Sequence, residues 1–246
     1  MRLVERRIGD QRILGLLRAW LKAGVLEDGK VSHPLRGTPQ GGVISPLLAN
    51  IYLHEVDRQW CTPTGTPAGQ PCLIRYADDM VILTRTEQEA QHAWARLQDQ
   101  LAALGLTVNE DKSRLTTVAE GFQFLGFEFR HQRGKLYLWP RTKAVKHIGE
   151  RIRHIVRLVP STASLTVVIE KLNPVLNGWC TYFRVGHSNH IFHKVDWMAR
   201  EAIQLWLRRK HQLPWRTAKK RWDYRMLHEH YRLYRMVGKV SHLEGL

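Results

Sequence analysis

The chain has 246 residues, of which 43% are hydrophobic, and a formal net charge of +16. This length supports one large domain or two smaller ones, and no apolar run approaches the roughly 20 residues that a membrane span requires. The amino terminus has no apolar signal-peptide core and the three cysteines have no paired spacing, so the sequence predicts a reduced, cytoplasmic protein without a membrane partner.

The positive charge is concentrated in the second half of the chain. Residues 1–130 contain 15 Lys and Arg and 15 Asp and Glu, whereas residues 131–246 contain 23 and 7. The second half also holds six of the nine tryptophans. A solvated, self-repelling surface would account for the charge alone. The interleaved aromatic residues favour a module that binds a polyanion such as nucleic acid.

The first elements are a helix and a glycine-rich loop. Apolar residues at helical spacing predict a helix over residues 8–23. The loop "GTPQGG" at 37–42 precedes Ser45, which is typical of a helix N-terminus. Glycines let backbone approach a ligand closely, and Pro39 stiffens the turn that presents Gln40. The loop is therefore a candidate ligand site, although many loops before helices have no such role.

The stretch "RYADDMVIL" at 75–83 places two adjacent acids between short strand-favouring runs. Buried carboxylates without partners would cost several kcal/mol, so a positive charge is expected near them. A tight hairpin turn would hold Asp78 and Asp79 close together, and Mg²⁺ typically binds one or two carboxylates plus substrate phosphates. The alternative is an ordinary exposed Asp-Asp turn. The flanking strands favour a metal site.

The remaining pattern changes near residue 140. Thr86 and Glu89 form a capping box that predicts a helix ending at Gly105. Extended segments are expected at 106–116 and 122–130, and a turn at 131–135. Helices are expected at 142–158, 164–176 and 192–212, bounded by Pro160 and Pro214. The predicted fold class is α+β, mixed over 1–140 and all-α over 141–246.

Two basic stretches of the second half are candidates for nucleic-acid binding, because cations bind phosphates and aromatic side chains stack on unpaired bases. In the helix over 142–158 the cations share the side opposite the apolar residues, and a second, denser cluster lies at 208–225. The candidate residues are Lys143, Lys146, Arg151, Arg153, Arg157, Arg208, Arg209, Lys210, Arg216, Lys219, Lys220 and Arg221.

These motifs, in this order, resemble those of group II intron-encoded reverse transcriptases and maturases. Four blocks are similar to the polymerase palm of that family, and one block is similar to its helical thumb, the maturase domain. The blocks are "GTPQGGVISPLLANIYLHEVD" (37–57), "RYADDMVIL" (75–83), "LGLTVNEDKSRL" (104–115), "FQFLGFEF" (122–129) and "LNPVLNGWCTYFR" (172–184).

The resemblance implies a role for individual residues. Asp78 and Asp79 match the catalytic, metal-binding acids, with Ala77 allowing the tight turn and Tyr76 near the primer end. Lys112 matches a lysine near the nucleotide phosphates, where its charge can offset that of the leaving pyrophosphate; a solvated loop lysine is the alternative. Two further groups of residues also match the family. Pro39, Gln40 and Gly41 match the loop beside the templating base and the incoming nucleotide. Leu125, Gly126 and Phe127 match the hairpin that grips the primer.

The resemblance also implies a fold and partners. The fold is part of a polymerase palm, an antiparallel sheet with packing helices, followed by an all-α thumb/maturase domain. The implied partners are intron RNA, an RNA template with a DNA primer, deoxynucleoside triphosphates and Mg²⁺ in a two-metal site. In the thumb, the aromatic spacing favours helix packing over RNA contact for Gly178, Trp179, Tyr182 and Phe183.

The sequence departs from the family pattern at its start. The family's third carboxylate, on an earlier palm strand, has no counterpart before the helix at 8–23, and Asp10 reads as a helix cap. We therefore expect little polymerase activity from this chain alone and expect it to need an N-terminal complementing fragment. The alternatives are an RNA-binding splicing factor that needs no catalysis, or an inactive remnant.

Overall fold

The computed structural model describes residues 1–22, 25–27, 30–32, 43–60 and 69–241. The chain divides into two compact units, residues 1–115 and 116–246. The glycine-rich loop at 37–42, including Pro39, Gln40 and Gly41, lies outside the described residues.

The described part of the first unit has four helices and two hairpins. Both hairpins are antiparallel, β1 with β2 and β3 with β4. The elements are α1 (Arg2–Glu5), α2 (Gln11–Lys22), β1 (Val25–Glu27), β2 (Lys30–Ser32), α3 (Ser45–Trp60), β3 (Cys72–Tyr76), β4 (Asp79–Leu83) and α4 (Glu87–Ala103).

Local sequence signals explain two of the helix starts. Thr86 caps α4, because its hydroxyl accepts a hydrogen bond from the Glu89 amide at 3.2 Å. Asp10 caps α2 through its carboxylate, which accepts from the Arg12 amide at 2.8 Å and the Ile13 amide at 3.3 Å. Both caps were expected from the sequence and are confirmed.

One apolar core joins α3, α4 and the β3–β4 hairpin, and it supports the candidate acid turn. Removing a large apolar side chain from water contributes about 1.5–3 kcal/mol, so this core fixes the hairpin on the two helices. Its buried members are Leu53, Val56, Trp60, Leu73, Ala93, Leu97 and Leu101. A smaller core holds α1 and α2 together through Val4, Leu14 and Leu17.

The second unit begins with a three-stranded antiparallel sheet and continues as helices. The strand order is β5-β6-β7, and Arg133 and Gly134 form the expected turn between β6 and β7, both at positive φ. The elements are β5 (Phe122–Phe124), β6 (Phe127–Gln132), β7 (Lys135–Pro140), α5 (Thr142–Leu158), α6 (Leu165–Phe183), α7 (Asn189–His211) and α8 (Trp215–Arg221), followed by a π-helical turn (Met226–His230).

The helices of this unit follow the sequence pattern with three differences: α6 is longer than predicted, α7 begins at Asn189 instead of residue 192, and α8 was not predicted. The bounds of α5 are those predicted, and Pro160 and Pro214 lie just outside helices as expected. In contrast, α6 continues seven residues past 176, with Pro174 inside it. Leu172, Leu176, Cys180 and Phe183 are all buried along one side of α6, so tertiary packing outweighs the local cost of the proline.

An irregular segment, residues 231–241, completes the second unit through side-chain bonds to the helices. Asn173 on α6 accepts from the Tyr234 amide at 2.8 Å and donates to the Arg232 carbonyl at 2.9 Å. The buried carboxylate of Asp196 on α7 accepts from the Met236 amide at 3.1 Å. These bonds satisfy backbone groups that have no helix or strand partner.

The architecture mixes helices with small antiparallel sheets and is compatible with the predicted α+β class. The expected extended segment at 106–116 is wrong, because residues 109–113 form a turn in which the Lys112 amide donates to Asn109. An Asn side chain that bonds nearby backbone competes with strand formation, which accounts for the difference.

Candidate polymerase site and nucleic-acid interface

The two acids lie at the turn of the β3–β4 hairpin, as the sequence predicts. Tyr76 pairs with Asp79, so Ala77 and Asp78 are the two turn residues. Ala77 adopts the left-handed conformation with φ of +53°. A residue with a Cβ is strained there by about 1–2 kcal/mol, so the surrounding structure must hold the turn in place.

The hairpin has a buried face and an exposed face because side chains alternate along each strand. Leu73 and its cross-strand partner Ile82 pack against the core with α3 and α4. On the opposite face Ile74 and Tyr76 are 44% and 65% exposed. Asp79 pairs with Tyr76 and shares this exposed face.

Arg75 fixes the turn from the buried face. Its side chain is only 10% exposed and forms a bidentate pair with Asp57 on α3, at 2.7 and 2.5 Å. The same guanidinium donates to the Ala77 carbonyl at 2.8 Å and to Asn50 at 2.9 Å. The hydrogen bond with Asp57 raises the pKa of Arg75 further above its ordinary value. The strained turn residue is thus tied to α3.

Asp78 and Asp79 are both exposed at the hairpin turn. Within the described ranges no Lys or Arg lies within 4 Å of either carboxylate, and the nearby Arg75 pairs with Asp57 instead. Exposure removes the burial penalty that motivated the expectation of a nearby positive charge. The two carboxylates remain available as oxygen ligands.

The other residues expected near this site are partly placed. Lys112 is exposed at the turn that follows Asn109, and it makes no salt bridge within the described part of the chain. In that part no group of three or more His, Cys, Asp or Glu side chains has metal-site spacing. Asp78 and Asp79 are therefore a pair of candidate ligands rather than a complete set.

The candidate primer-contacting residues form a second tight turn, between β5 and β6. Phe124 pairs with Phe127, and the turn residues Leu125 and Gly126 both have positive φ, +48° and +81°. This is the pattern of a type I′ hairpin turn. Glycine suits the second position, whereas Leu125 is strained in the same way as Ala77.

Helix α6 holds this second turn. The Tyr182 hydroxyl donates to the Leu125 carbonyl at 2.9 Å, and the Arg141 amide donates to the Gly126 carbonyl at 2.9 Å. The Phe127 ring lies 5.7 Å from that of Tyr182 and 4.9 Å from that of Phe183. Hydrogen bonds and aromatic contacts thus fix both carbonyls of the turn.

The packing role expected for the α6 residues is confirmed for three of the four. Phe183 is buried, and Trp179 contacts Phe183 with ring centroids 4.7 Å apart. Tyr182 packs on Phe127 while remaining 53% exposed. For Gly178 the expectation is wrong: it is exposed, and a Cβ built there would meet nothing within 4 Å.

The basic residues of α5 occupy one exposed face. Val145, Ile148 and Ile152 are buried on the opposite side of the helix. The exposed face carries Lys143, Lys146, Arg151, Arg153 and Arg157, and a shallow hollow on it is lined by His147, Glu150, Arg151, Arg153, His154 and Arg157. This separation was predicted, and it presents cations at a spacing suited to phosphate groups.

The second basic cluster contains residues with different surroundings. Arg216, Lys220 and Arg221 line another shallow hollow, with Thr217. Lys210 is half-buried, donates to the Ala163 carbonyl, and lies 5.2 Å from the centroid of the Trp206 ring. Its ammonium group is already occupied in the fold. Arg208, Arg209 and Lys219 are exposed.

Sequence reasoning missed the residues that hold the two turns. For Arg75 a signal exists: strand alternation places it on the side of the buried Leu73, where a cation requires an acid. For Tyr182 no local signal exists, since its partner Leu125 is 57 residues away.

None of the helices in the described ranges is both long and apolar enough to cross a lipid bilayer. Cys180 is a buried free thiol, and this burial raises its pKa above the ordinary value.

Comparison with protein families gives two adjoining matches. Residues 5–129 match the family model described as reverse transcriptase (RNA-dependent DNA polymerase). Residues 145–225 match the model of the group II intron, maturase-specific domain. The first match includes both tight turns, and the second includes most of the helical region.

Curated relatives agree with these matches. Protein YkfC of Escherichia coli (strain K12) is 31% identical over 164 residues, covering 55% of this chain and 43% of YkfC. The group II intron-encoded protein LtrA of Lactococcus lactis subsp. cremoris is 50% identical over 56 residues, covering 23% of this chain and 9% of LtrA. The putative COX1/OXI3 intron 2 protein of Saccharomyces cerevisiae is 23% identical over 240 residues, covering 74% of this chain and 27% of the yeast protein.

The chain thus spans less than half the length of each of these relatives. The reverse transcriptase match nevertheless extends over more than half of the chain, and the maturase match begins after it, at residue 145. The chain belongs to the reverse transcriptase (RNA-dependent DNA polymerase) family and carries a group II intron maturase-specific domain.

Proposed function

We propose that the chain acts in RNA-directed DNA synthesis, with Asp78 and Asp79 as its catalytic, metal-binding acids. The observation that supports this most directly is the β3–β4 turn, where two adjacent exposed carboxylates project from a hairpin that Arg75 anchors to α3. Exposed acids on a rigid element can bind a cation without the reorganisation that a flexible loop would require.

The residues of this turn fit magnesium as a partial site. Mg²⁺ prefers oxygen ligands, and one or two carboxylates with substrate phosphates are its usual protein environment. Asp78 and Asp79 would hold it, and when bound it supplies activation of the primer hydroxyl and neutralisation of the leaving pyrophosphate. A two-metal site needs a third carboxylate in addition to these two.

The remaining site assignments follow from the family membership. Tyr76 would adjoin the primer end, with Ala77 allowing the tight turn, and Lys112 would adjoin the phosphates of the incoming deoxynucleoside triphosphate. Pro39, Gln40 and Gly41 would border the templating base. The exposed position of Lys112 on a turn is compatible with contact to a triphosphate.

The domain assignment is part of the same proposal. We assign residues 1–140 to a polymerase palm and 141–246 to a helical thumb and maturase region. The change between family matches, from 129 to 145, supports this division. The compact units instead change at 115/116, because the β5–β7 sheet folds with the helices.

Template-primed DNA synthesis tests the catalytic proposal. The chain is assayed with Mg²⁺, an RNA template and a DNA primer, alone and with an added N-terminal reverse transcriptase segment of a relative. We expect weak synthesis by the chain alone and a clear increase with the segment, which Asp78→Asn with Asp79→Asn abolishes. Synthesis that persists in the double variant would refute the assignment of these acids.

A second function, binding of intron RNA, is supported by the basic face of α5, most of which lies within the maturase match that begins at residue 145. The five cations of this face lie on the side of α5 opposite its buried residues, so all of them point away from the core. They are Lys143, Lys146, Arg151, Arg153 and Arg157. Each phosphate contact adds to the salt dependence of binding, with a slope of about −0.7 to −0.9 per contact. We exclude Lys210 from the interface because its ammonium group bonds to Ala163.

Charge reversal tests this second function. The triple variant Lys143→Glu, Lys146→Glu and Arg153→Glu should lower affinity for structured intron RNA at least tenfold and reduce the salt slope. A matched control reverses three exposed cations of the first unit: Arg2, Arg7 and Arg12. Equal losses in both variants would show that only net charge matters and would remove the case for an α5 interface.

A further inference from the structure

A contact between the two family segments carries the inference. The Leu125–Gly126 turn belongs to the reverse transcriptase match, whereas Tyr182 belongs to the maturase match. Both lie within the second compact unit, where the Tyr182 hydroxyl donates to the Leu125 carbonyl at 2.9 Å. A helix of the maturase segment therefore supports a turn of the polymerase segment.

The turn is fixed by its carbonyls, and its amides have no assigned partner. The Leu125 and Gly126 carbonyls accept from Tyr182 and from the Arg141 amide. Within the described part of the chain, the amides of Leu125 and Gly126 donate to no protein acceptor. Both residues are half-exposed. Adjacent backbone N–H groups of this kind are donors for a phosphate oxygen.

The aromatic contacts explain why the turn keeps this orientation. The Tyr182 ring stacks on Phe127 with an interplanar angle of 25°, and Phe183 packs against Phe127 and Tyr182. Leu125 sits at a positive φ that a leucine rarely adopts. Without the bond from Tyr182, a turn with a leucine in that conformation would relax.

We propose that Tyr182 is a positioning residue for nucleic-acid binding: by holding the Leu125 carbonyl and the Phe127 ring, it orients the Leu125 and Gly126 amides toward a backbone phosphate of the primer strand. This proposal rests on the proposed function in DNA synthesis and on the primer contact that the family resemblance implies for Leu125, Gly126 and Phe127. It adds that α6, in the maturase segment, sets the geometry of that contact. Tyr182 touches neither substrate nor metal in this role.

The test combines protein variants with neutral phosphates. A DNA primer on an RNA template carries 2-aminopurine at its 3′ end, and a series of primers replaces one of the last few phosphates with a methylphosphonate. Affinity is measured by fluorescence anisotropy for the full chain, for Tyr182→Phe and for Tyr182→Ala. Asn177→Ala, at another exposed position of α6, is the matched control.

We expect Tyr182→Phe to weaken binding of the unmodified primer about fivefold, the loss typical of one hydrogen bond, and Tyr182→Ala more than tenfold. One methylphosphonate should weaken wild-type binding by a similar factor but have less than a twofold effect on Tyr182→Ala. Such non-additivity is the mark of two groups that act on one contact. Asn177→Ala should behave as wild type.

Several outcomes would overturn the proposal. Normal affinity of the Tyr182 variants for the intact primer would overturn it. Equal losses of affinity for the intact and the modified primers would also overturn it, because they would indicate a merely structural effect. Gly126→Ala distinguishes the primer contact of the 125–127 turn from the positioning role of Tyr182. If it weakens primer binding while the Tyr182 variants do not, the primer contact stands and the role of Tyr182 fails. If neither Gly126→Ala nor any methylphosphonate matters, both fail.

Discussion

The two tight turns of this protein are strained in the same way and stabilised in different ways. Ala77 and Leu125 each adopt a left-handed conformation at the first turn position. The acid turn at 77–78 is held by the half-buried Arg75–Asp57 pair, which leaves the carboxylates of Asp78 and Asp79 free. The turn at 125–126 is held by aromatic packing and by hydrogen bonds to its carbonyls.

This difference indicates what each turn presents to a ligand. Because Arg75 contacts only the buried face of the β3–β4 hairpin, the side chains of Asp78 and Asp79 stay available, as cation binding requires. Because Tyr182 and the Arg141 amide bind the carbonyls of Leu125 and Gly126, the amides of these two residues stay available, which suits an anion. In the two sites that we propose, the same local strain would thus serve ligands of opposite charge.

The largest expected effect is on the aromatic support. Phe183→Ala removes a buried ring that contacts Phe127, Trp179 and Tyr182, and we expect a loss of about 3–4 kcal/mol in the free energy of unfolding. Urea unfolding measures it. Leu158→Ala, at an exposed position on α5, is the control and should change little. A loss below 1 kcal/mol for Phe183→Ala would contradict packing as the support.

Arg75→Ala tests the ionic support and should cost about 2–3 kcal/mol, because it leaves a partly buried Asp57 without its partner. Hydrogen exchange over residues 72–83 should accelerate as the turn loosens. The control is Arg58→Ala, whose 3.8 Å contact with Glu55 is largely exposed and worth 0–1 kcal/mol. Equal protection in the two variants would mean that Arg75 does not anchor the turn.

Ala77→Gly tests the strain itself. Glycine relieves a penalty of about 1–2 kcal/mol at positive φ but adds about 0.5–1 kcal/mol of unfolded-state entropy. We expect a net gain in stability of up to about 1 kcal/mol by urea unfolding. Ala102→Gly, within α4, should instead destabilise by about 1 kcal/mol. If both substitutions destabilise equally, the acid turn is not strained.

The smallest expected effect is the pH dependence of the second unit. Burial lowers the pKa of His228, whose Nδ1 bonds to the Leu233 carbonyl at 2.9 Å. The neutral ring therefore favours the fold, and the stability it contributes is present above the ordinary value of 6.5 and is lost as pH falls. Burial raises the pKa of Asp196, which acts in the opposite direction.

His228→Asn isolates this effect, since an amide can still donate to Leu233 but does not titrate. The melting temperature of the wild type should fall more between pH 7 and pH 5 than that of the variant. The difference should be about 2–4 °C for each kcal/mol involved. Parallel pH profiles of the melting temperature would show that His228 does not control the pH dependence of stability in the second unit.

Much of this structure was predictable because its signals are local. The acid hairpin, the Thr86 cap, the bounds of α5 and its basic face all follow from spacing over a few residues. The expected strand at 106–116 failed because the Asn109 side chain forms a turn with nearby backbone.

The supports of the turns were not predictable for a different reason. Asp57 and Arg75 are 18 residues apart, and Leu125 and Tyr182 are 57 apart. No periodic pattern specifies such pairs. The continuation of α6 through Pro174 likewise depends on burial against the rest of the core rather than on local preference.

Divalent-cation binding at the acid turn tests the central claim most directly. Mn²⁺ binding is followed by electron paramagnetic resonance, with Mg²⁺ as competitor, in the presence of primer, template and nucleotide. Glu110→Gln with Asp111→Asn, another adjacent exposed acidic pair in the same unit, is the matched control. Asp78→Asn with Asp79→Asn should weaken binding at least tenfold while changing stability by less than about 0.5 kcal/mol, as expected for exposed side chains. Unchanged Mn²⁺ affinity in that variant, or an equal loss in the control, would contradict the account.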